Sequence, residues 1–333
     1  MASDHHPSEK SQNGTPAMDR ETIDRRVAEL FPSLADRRQF ATHIDTTDFY
    51  KVDYGDVLVL GNHPYLILNN AKEGRFGLDD QEKFWVKRAI DLDSGQRKII
   101  KLVFFEKFEA RIGDTTFDCF RSPRKEARIL SKVGNHPHFM HGYATEDSQG
   151  NIIRVLDFIY GKSLHNTVED LTCSHSEYFC KIFPEVFKNF ITCVEAIGFL
   201  HRQNEKHGDI RRDHILIDRE SGNYRWIDFD FNYRHRENIY GYDLFGIGNI
   251  LIYLVGKGDV LLPDLSRSSH PAMDRITPED RNIVFHHRLA NLKLVYLYIP
   301  ESLNRILLHF SMGANWYYEH VDQLLEDLSC VHL

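Results

Sequence analysis

The apolar pattern of this chain changes period about halfway along. That change constrains its fold more than any motif does. From Tyr50 to Phe105 the segments DVLVL, PYLIL, KFWVKRAIDL and RKIIKLVFF are rich in β-branched and aromatic residues, with Gly, Asn and Asp turns between them. Such runs read as successive strands. After Gly161 the spacing becomes helical: between Ile182 and Leu200, Phe183, Val186, Phe187, Phe190, Ile191, Val194 and Ile197 follow helical spacing, and Pro184 fits the first turn. Thr22 to about Ile44 reads as a helix broken at Pro32, Pro123 to Val133 as a helix, and Ile152 to Ile159 as a strand. ILID and YRWIDF read as two short strands, and helices resume from Tyr242 to the C-terminus, with Thr277-Pro278-Glu279-Asp280 as a helix start. The expected class is α+β: a strand-rich part followed by a helix-rich part, two lobes with a cleft between them.

Composition narrows the function. The 333 residues suffice for one large domain or two smaller ones, and 42% apolar residues suffice for a packed core. A formal charge of −8 argues against broad nucleic-acid binding. The five cysteines are odd in number, scattered and without a CxxC pair, which disfavours a zinc ribbon or disulfide framework and points to a reducing, cytoplasmic setting. No apolar run approaches the roughly 18 residues of a membrane span. Residues 1–18 are rich in Ser, His, Pro, Gly and Asp, and 1–20 is expected to be a disordered N-terminus.

Phosphoryl transfer needs a cover for the phosphates, a cation, a metal ligand and a group at the acceptor hydroxyl. The chain offers these in order. Lys101 lies near the end of the apolar strand IIKLV, where a buried ammonium needs a partner, and Glu126 in the helix PRKEARIL can supply it. Further on, KHGDIRRDHILID carries Asp209, Asp213 and His214, and WIDFD carries Asp228 at the end of a strand.

Together these residues resemble the protein-kinase-like superfamily over roughly residues 60–330, with a β-rich N-lobe at 21–160 that includes an N-terminal extension, and a helical C-lobe at 161–333. Lys101 matches the family's β3 lysine and Glu126 its αC glutamate. Gly134-Asn135-His136-Pro137 resembles the turn after that helix, and Asp157 to Leu164 the hinge. His207-Gly208-Asp209 matches HRD with Gly for Arg, Asp228-Phe229-Asp230 matches DFG with Asp for Gly, and Tyr242 to Gly248 resembles the start of the central helix. The resemblance implies ATP as a bound nucleotide with Mg²⁺, or Mn²⁺, as its metal. Asp209 would act at the acceptor hydroxyl, Lys101 at the phosphates with Glu126 bracing it, and Asp228 at the metal. Gly74 and Gly77 would cover the phosphates, and the backbone at Asp157 and Ile159 would hold adenine. His207 would pack beneath the loop.

Four features depart from that pattern. His214 stands where the family has Asn as a second metal ligand, and Mg²⁺ prefers oxygen. Three readings stay open there: a poor metal ligand, replacement by Asp213 or Asp230, or a hydrogen bond to phosphate. Lys72 replaces the first glycine of the phosphate loop, where Lys72 or Arg75 could add charge. Only 12 residues separate Asp230 from Asp243, too few for an ordinary activation segment. Gly208 removes the arginine that usually reads a phosphorylated activation loop. Arg211 and Arg212 are either surface charges or contacts to a phosphate or an acidic substrate. His286-His287 is expected on a helix surface, and Trp85, Trp226 and Trp316 as core or packing residues and not a stacking platform for bases. The expected function is an ATP-dependent phosphotransferase acting on a protein or small-molecule hydroxyl. The alternatives are a pseudokinase serving as a nucleotide-binding or scaffolding module, and an interaction protein that binds no nucleotide.

Overall fold

The computed structural model describes residues 19–32, 40–75, 78–235 and 238–333. Residues 1–18 and Gly77, both subjects of sequence expectations, lie outside that set. In chain order the strands are β1 (Thr42–His43), β2 (Val57–Leu60), β3 (His63–Arg75), β4 (Leu78–Asp91), β5 (Arg97–Lys101), β6 (Lys107–Ile112), β7 (Thr115–Arg121), β8 (Gly142–Glu146), β9 (Ile152–Asp157), β10 (Gly161–Ser163), β11 (Ile215–Asp218), β12 (Tyr224–Trp226) and β13 (Phe231–Arg234). The helices are α1 (Arg20–Leu30), α2 (Pro123–Val133), α3 (Leu164–Glu169), α4 (His175–Lys181), α5 (Phe183–Arg202), α6 (Gly241–Val255), α7 (Leu262–Arg267), α8 (Glu301–Leu308) and α9 (Val321–Ser329).

The chain divides into two compact units, residues 1–103 with 145–155, and residues 104–144 with 156–333. The first is built on a sheet of order β1-β2-β3-β4-β5-β9-β8. β2 and the start of β3 read as unbroken apolar runs because both faces are buried there. Leu58, Leu60, Tyr65, Ile67 and Ile100 fill one core, while Val57 and Leu66 pack on the other face with Ile23 and Val27 of α1. The β3–β4 hairpin closes with Arg75 opposite Leu78, which puts Gly74 in β3 beside the turn. Thr46 ties the segment before β2 to the β8–β9 turn: its N–H and hydroxyl both donate to Asp147, each at 2.7 Å.

The second unit holds the long helices and two small sheets, β10-β11-β12 and β13-β7-β6. α2 spans the predicted residues; Ser122 accepts from the Lys125 N–H as its cap and Pro123 opens it. α5 buries the residues read from its spacing except Ile191, which is half-buried. Gly161 must be glycine, since a Cβ there would meet the Ile217 carbonyl oxygen at 1.9 Å where β10 pairs with β11.

Two expectations are corrected. The start at Thr277 is real, with its N–H donating to Asp280 at 2.8 Å, but only the 3-10 turn Pro278–Asp280 follows. Long-range partners claim the next backbone: Asp280 accepts from the Ala290 and Asn291 N–H groups, and the Leu289 N–H donates to Val260. His286 and His287 therefore lie exposed on a turn-rich segment and not on a helix. Trp316, 49% exposed, packs against His309 and Tyr318 at the surface, one of the two places expected for it. The β6–β7 hairpin had no counterpart in the sequence reading.

Candidate active site

In the second unit the loop between α5 and β11 brings Asp209 and His214 together with Asp228. His214 Nδ1 donates to the Asp209 carbonyl at 2.8 Å. The same nitrogen lies 3.6 Å from Asp209 Oδ2, and Nε2 lies 3.6 Å from Asp228 Oδ2 and 4.0 Å from Asp213 Oδ2. One buried imidazole thus sits among three carboxylates. Burial pushes the Asp209 carboxyl above its usual range, against the opposing pull of His214 and Arg211. Burial also acts on Asp213, but His214 and Arg211 hold it below the usual range. Asp228 has a φ of +63°, a left-handed conformation unusual outside glycine and a common mark of functional turns.

The loop is fixed from below. Asp243, near the start of α6, is fully buried; it accepts the His207 and Gly208 N–H groups, each at 2.8 Å, and His201 Nε2 at 3.0 Å. Burial would raise its pKa, but those contacts keep it low. His207 Nδ1 accepts the Asp209 N–H at 3.3 Å, and the ring packs edge-on to Trp226 and Phe229. Burial drives its pKa down to about 3, so it is a neutral packing residue. Both arginines of the loop have acidic partners: Arg211 pairs with Asp213 at 2.6 Å, and Arg212 with Asp259 at 2.9 Å.

The remaining predicted residues are placed as follows. Lys101 ends β5 in the first unit and Glu126 lies in the first turn of α2 in the second; both are buried. Asp157 ends β9 with its N–H donating to the His141 carbonyl, and Ile159 follows half-buried. Among the described residues no group of three His, Cys, Asp or Glu side chains could hold a metal by itself. No helix among the described residues is long and apolar enough to cross a membrane.

No family profile matches the chain. Among curated proteins, it is 26% identical to the sperm motility kinase Z of Mus musculus over 34% of this chain and 21% of that one. It is 24% identical to the human 2-5A-dependent ribonuclease over 62% of this chain and 28% of that one. It is 26% identical to the bovine phosphorylase b kinase gamma catalytic chain, liver/testis isoform, over 44% and 34%. The chain is similar to the protein-kinase-like superfamily. It spans about a fifth to a third of the length of these relatives. Among solved structures, the PknI kinase domain of Mycobacterium tuberculosis aligns over 80% of this chain and 95% of that one, at 12% identity and a TM-score of 0.47.

Two departures of this kinase-like chain now have a physical cause. Gly208 replaces arginine because a Cβ there would lie 1.9 Å from the Phe231 carbonyl oxygen, at a φ of +86°. Asp230 replaces glycine and is occupied: Arg121 Nη1 donates to both of its oxygens, at 2.9 and 2.8 Å. Sequence reading missed Asp243, Lys125 and Arg121. Asp243 had a signal, being the only charged residue of the apolar α6. Lys125 and Arg121 had none, since the carbonyls that Lys125 reaches and the Asp230 that Arg121 reaches lie 82 or more residues away.

Proposed function

We propose that this kinase-like chain transfers the γ-phosphate of ATP to a hydroxyl, with Asp209 at the acceptor and Asp228 at the metal. The observation that carries the reading is the Asp209–His214–Asp228 arrangement. A raised-pKa carboxylate, suited to taking a proton, stands one imidazole away from a second carboxylate on a strained turn. Lys101 holds the phosphates and Glu126 braces it; Gly74 and Gly77 cover them, and the backbone at Asp157 and Ile159 holds adenine. Mg²⁺ supplies charge neutralisation at the phosphates, and Asp228 is its carboxylate ligand. His214 Nε2 faces Asp228 beside it, either as a nitrogen ligand, which Mn²⁺ tolerates better, or as a donor to phosphate. Asp230 is not a metal ligand in this reading, because Arg121 engages both of its oxygens. The lobes at 21–160 and 161–333, with 1–20 as a tail, and a cytoplasmic setting belong to the same proposal.

The imidazole in an asparagine position also supports a second reading, a pseudokinase that binds nucleotide as a scaffold. Labelled γ-phosphate separates the two. The protein with ATP and Mg²⁺ or Mn²⁺ should turn over or autophosphorylate, and Asp209→Ala and Asp228→Ala should each lose at least about a hundredfold. Nucleotide-dependent thermal stabilisation without turnover would establish the pseudokinase; neither signal would leave an interaction protein.

A further inference from the structure

One five-residue stretch, Arg121 to Lys125, grips both acidic segments of the site from a single side. The Lys125 side chain is buried, and its ammonium donates to three backbone carbonyls: His207 at 2.7 Å, Phe229 at 2.9 Å and Phe231 at 2.5 Å. An ammonium has three donors, so its capacity is fully used. The first carbonyl lies two residues before Asp209, and the second belongs to the residue after Asp228. Four residues earlier, Arg121 forms its bidentate pair with Asp230, donates from Nε to Glu106 at 2.9 Å and lies 4.0 Å over the Phe231 ring. Between them the Ser122 N–H donates to the Asp230 carbonyl at 2.7 Å. β7 and β13 pair alongside, from Phe231 opposite Arg121 to Arg234 opposite Asp118.

The same helix makes a second attachment. Arg128 and Lys132, three and seven residues after Lys125 and so on one face of α2, both reach Glu205, at 2.6 and 2.8 Å. Glu205 lies just before the catalytic loop. Both the Lys125 and Arg121 side chains are buried.

We infer that Lys125, with the Arg121–Asp230 pair, is a positioning device. It holds Asp209 and the strained Asp228 turn in register through backbone carbonyls, by contacts internal to the chain. The 12 residues between Asp230 and Asp243 are too few to supply a long phosphorylated segment for that task. Assembly of the acidic pair should therefore need no added phosphate. The catalytic consequence rests on the function proposed above; the positioning itself does not.

The test uses the full chain and two readouts. In Lys125→Met the apolar stem stays and the three donors go. Amide exchange across 207–213 and 228–232 should quicken by about tenfold or more, while α5 keeps wild-type protection. If phosphate transfer is present, kcat should fall by about thirtyfold with the KM for ATP changed less than about threefold, since an arrangement and not a binding contact is lost. Phosphatase treatment of the wild type should change neither readout. Asp230→Asn is the second variant and decides the matter where Lys125→Met does not fold: it should loosen 228–232, and Arg121→Lys should retain more of the protection than Arg121→Met. Wild-type exchange at both segments in Lys125→Met or, failing that, in Asp230→Asn would overturn the inference. So would a wild type that loses its protection on phosphatase treatment. A wild type that transfers no phosphate would remove the proposed function and leave the exchange result to decide the positioning.

Discussion

Gly208 and the Phe231 carbonyl show how tightly single residues are specified here. The carbonyl oxygen fills the place a side chain would take, and the same oxygen accepts from Lys125. Gly208→Ala must therefore move β13 or the catalytic loop, besides forcing a non-glycine residue to a φ of +86°. A loss of roughly 3 kcal/mol is expected from strain and displaced hydrogen bonds. Urea unfolding would measure it, and an unchanged midpoint would contradict the close packing. At this scale much was legible: Asp209, His214 and Asp228, named from the order of motifs, do meet in one loop cluster. Lys125 was not legible. In sequence it is one of several charges around Glu126, and only its burial, through partners more than 80 residues away, distinguishes it.

The elements divide by how local their causes are. α2 and α5 were readable to within a residue or two because proline and apolar spacing agree, joined in α2 by the Ser122 cap. The β6–β7 hairpin was not, since its third strand comes from 231–234, about 110 residues later. The helix expected after Thr277 failed for the converse reason: its local signal was sound, but Asp280 and Val260 draw the following backbone into long-range bonds. The β8–β9 turn shows a tie of the same kind. Burial acts against the Asp147 carboxylate, but hydrogen bonds from Asn151 and Thr46 hold its pKa down at about 2. The unfolded chain takes up that proton at higher pH, so the stabilisation is present above about pH 4 and is lost as pH falls through 2. The shift corresponds to roughly 2 kcal/mol at neutral pH and about half of that at pH 3. The stability difference between wild type and Asp147→Asn should therefore shrink between pH 6 and pH 3. A difference that stays constant would mean that the carboxylate charge is not what ties the turn.

For the whole molecule, the strand-rich and helix-rich halves foreseen from the change of period are present as two compact units. Residues 104–144 group with the helical unit, and with them α2 and Glu126. This follows from the bonds that α2 makes to His207 and Glu205 before β11 and to Phe231 of β13. Lys101 lies in the first unit and Asp228 in the second, and the proposed function requires both to act on one nucleotide. Calorimetric titration with ATP, with and without Mg²⁺, tests this most directly. The account predicts metal-dependent binding that Lys101→Met and Asp228→Asn each weaken by about tenfold or more, with the Asp228 loss confined to the Mg²⁺ titration. A wild type that binds no ATP, or an affinity that neither substitution changes, would contradict it.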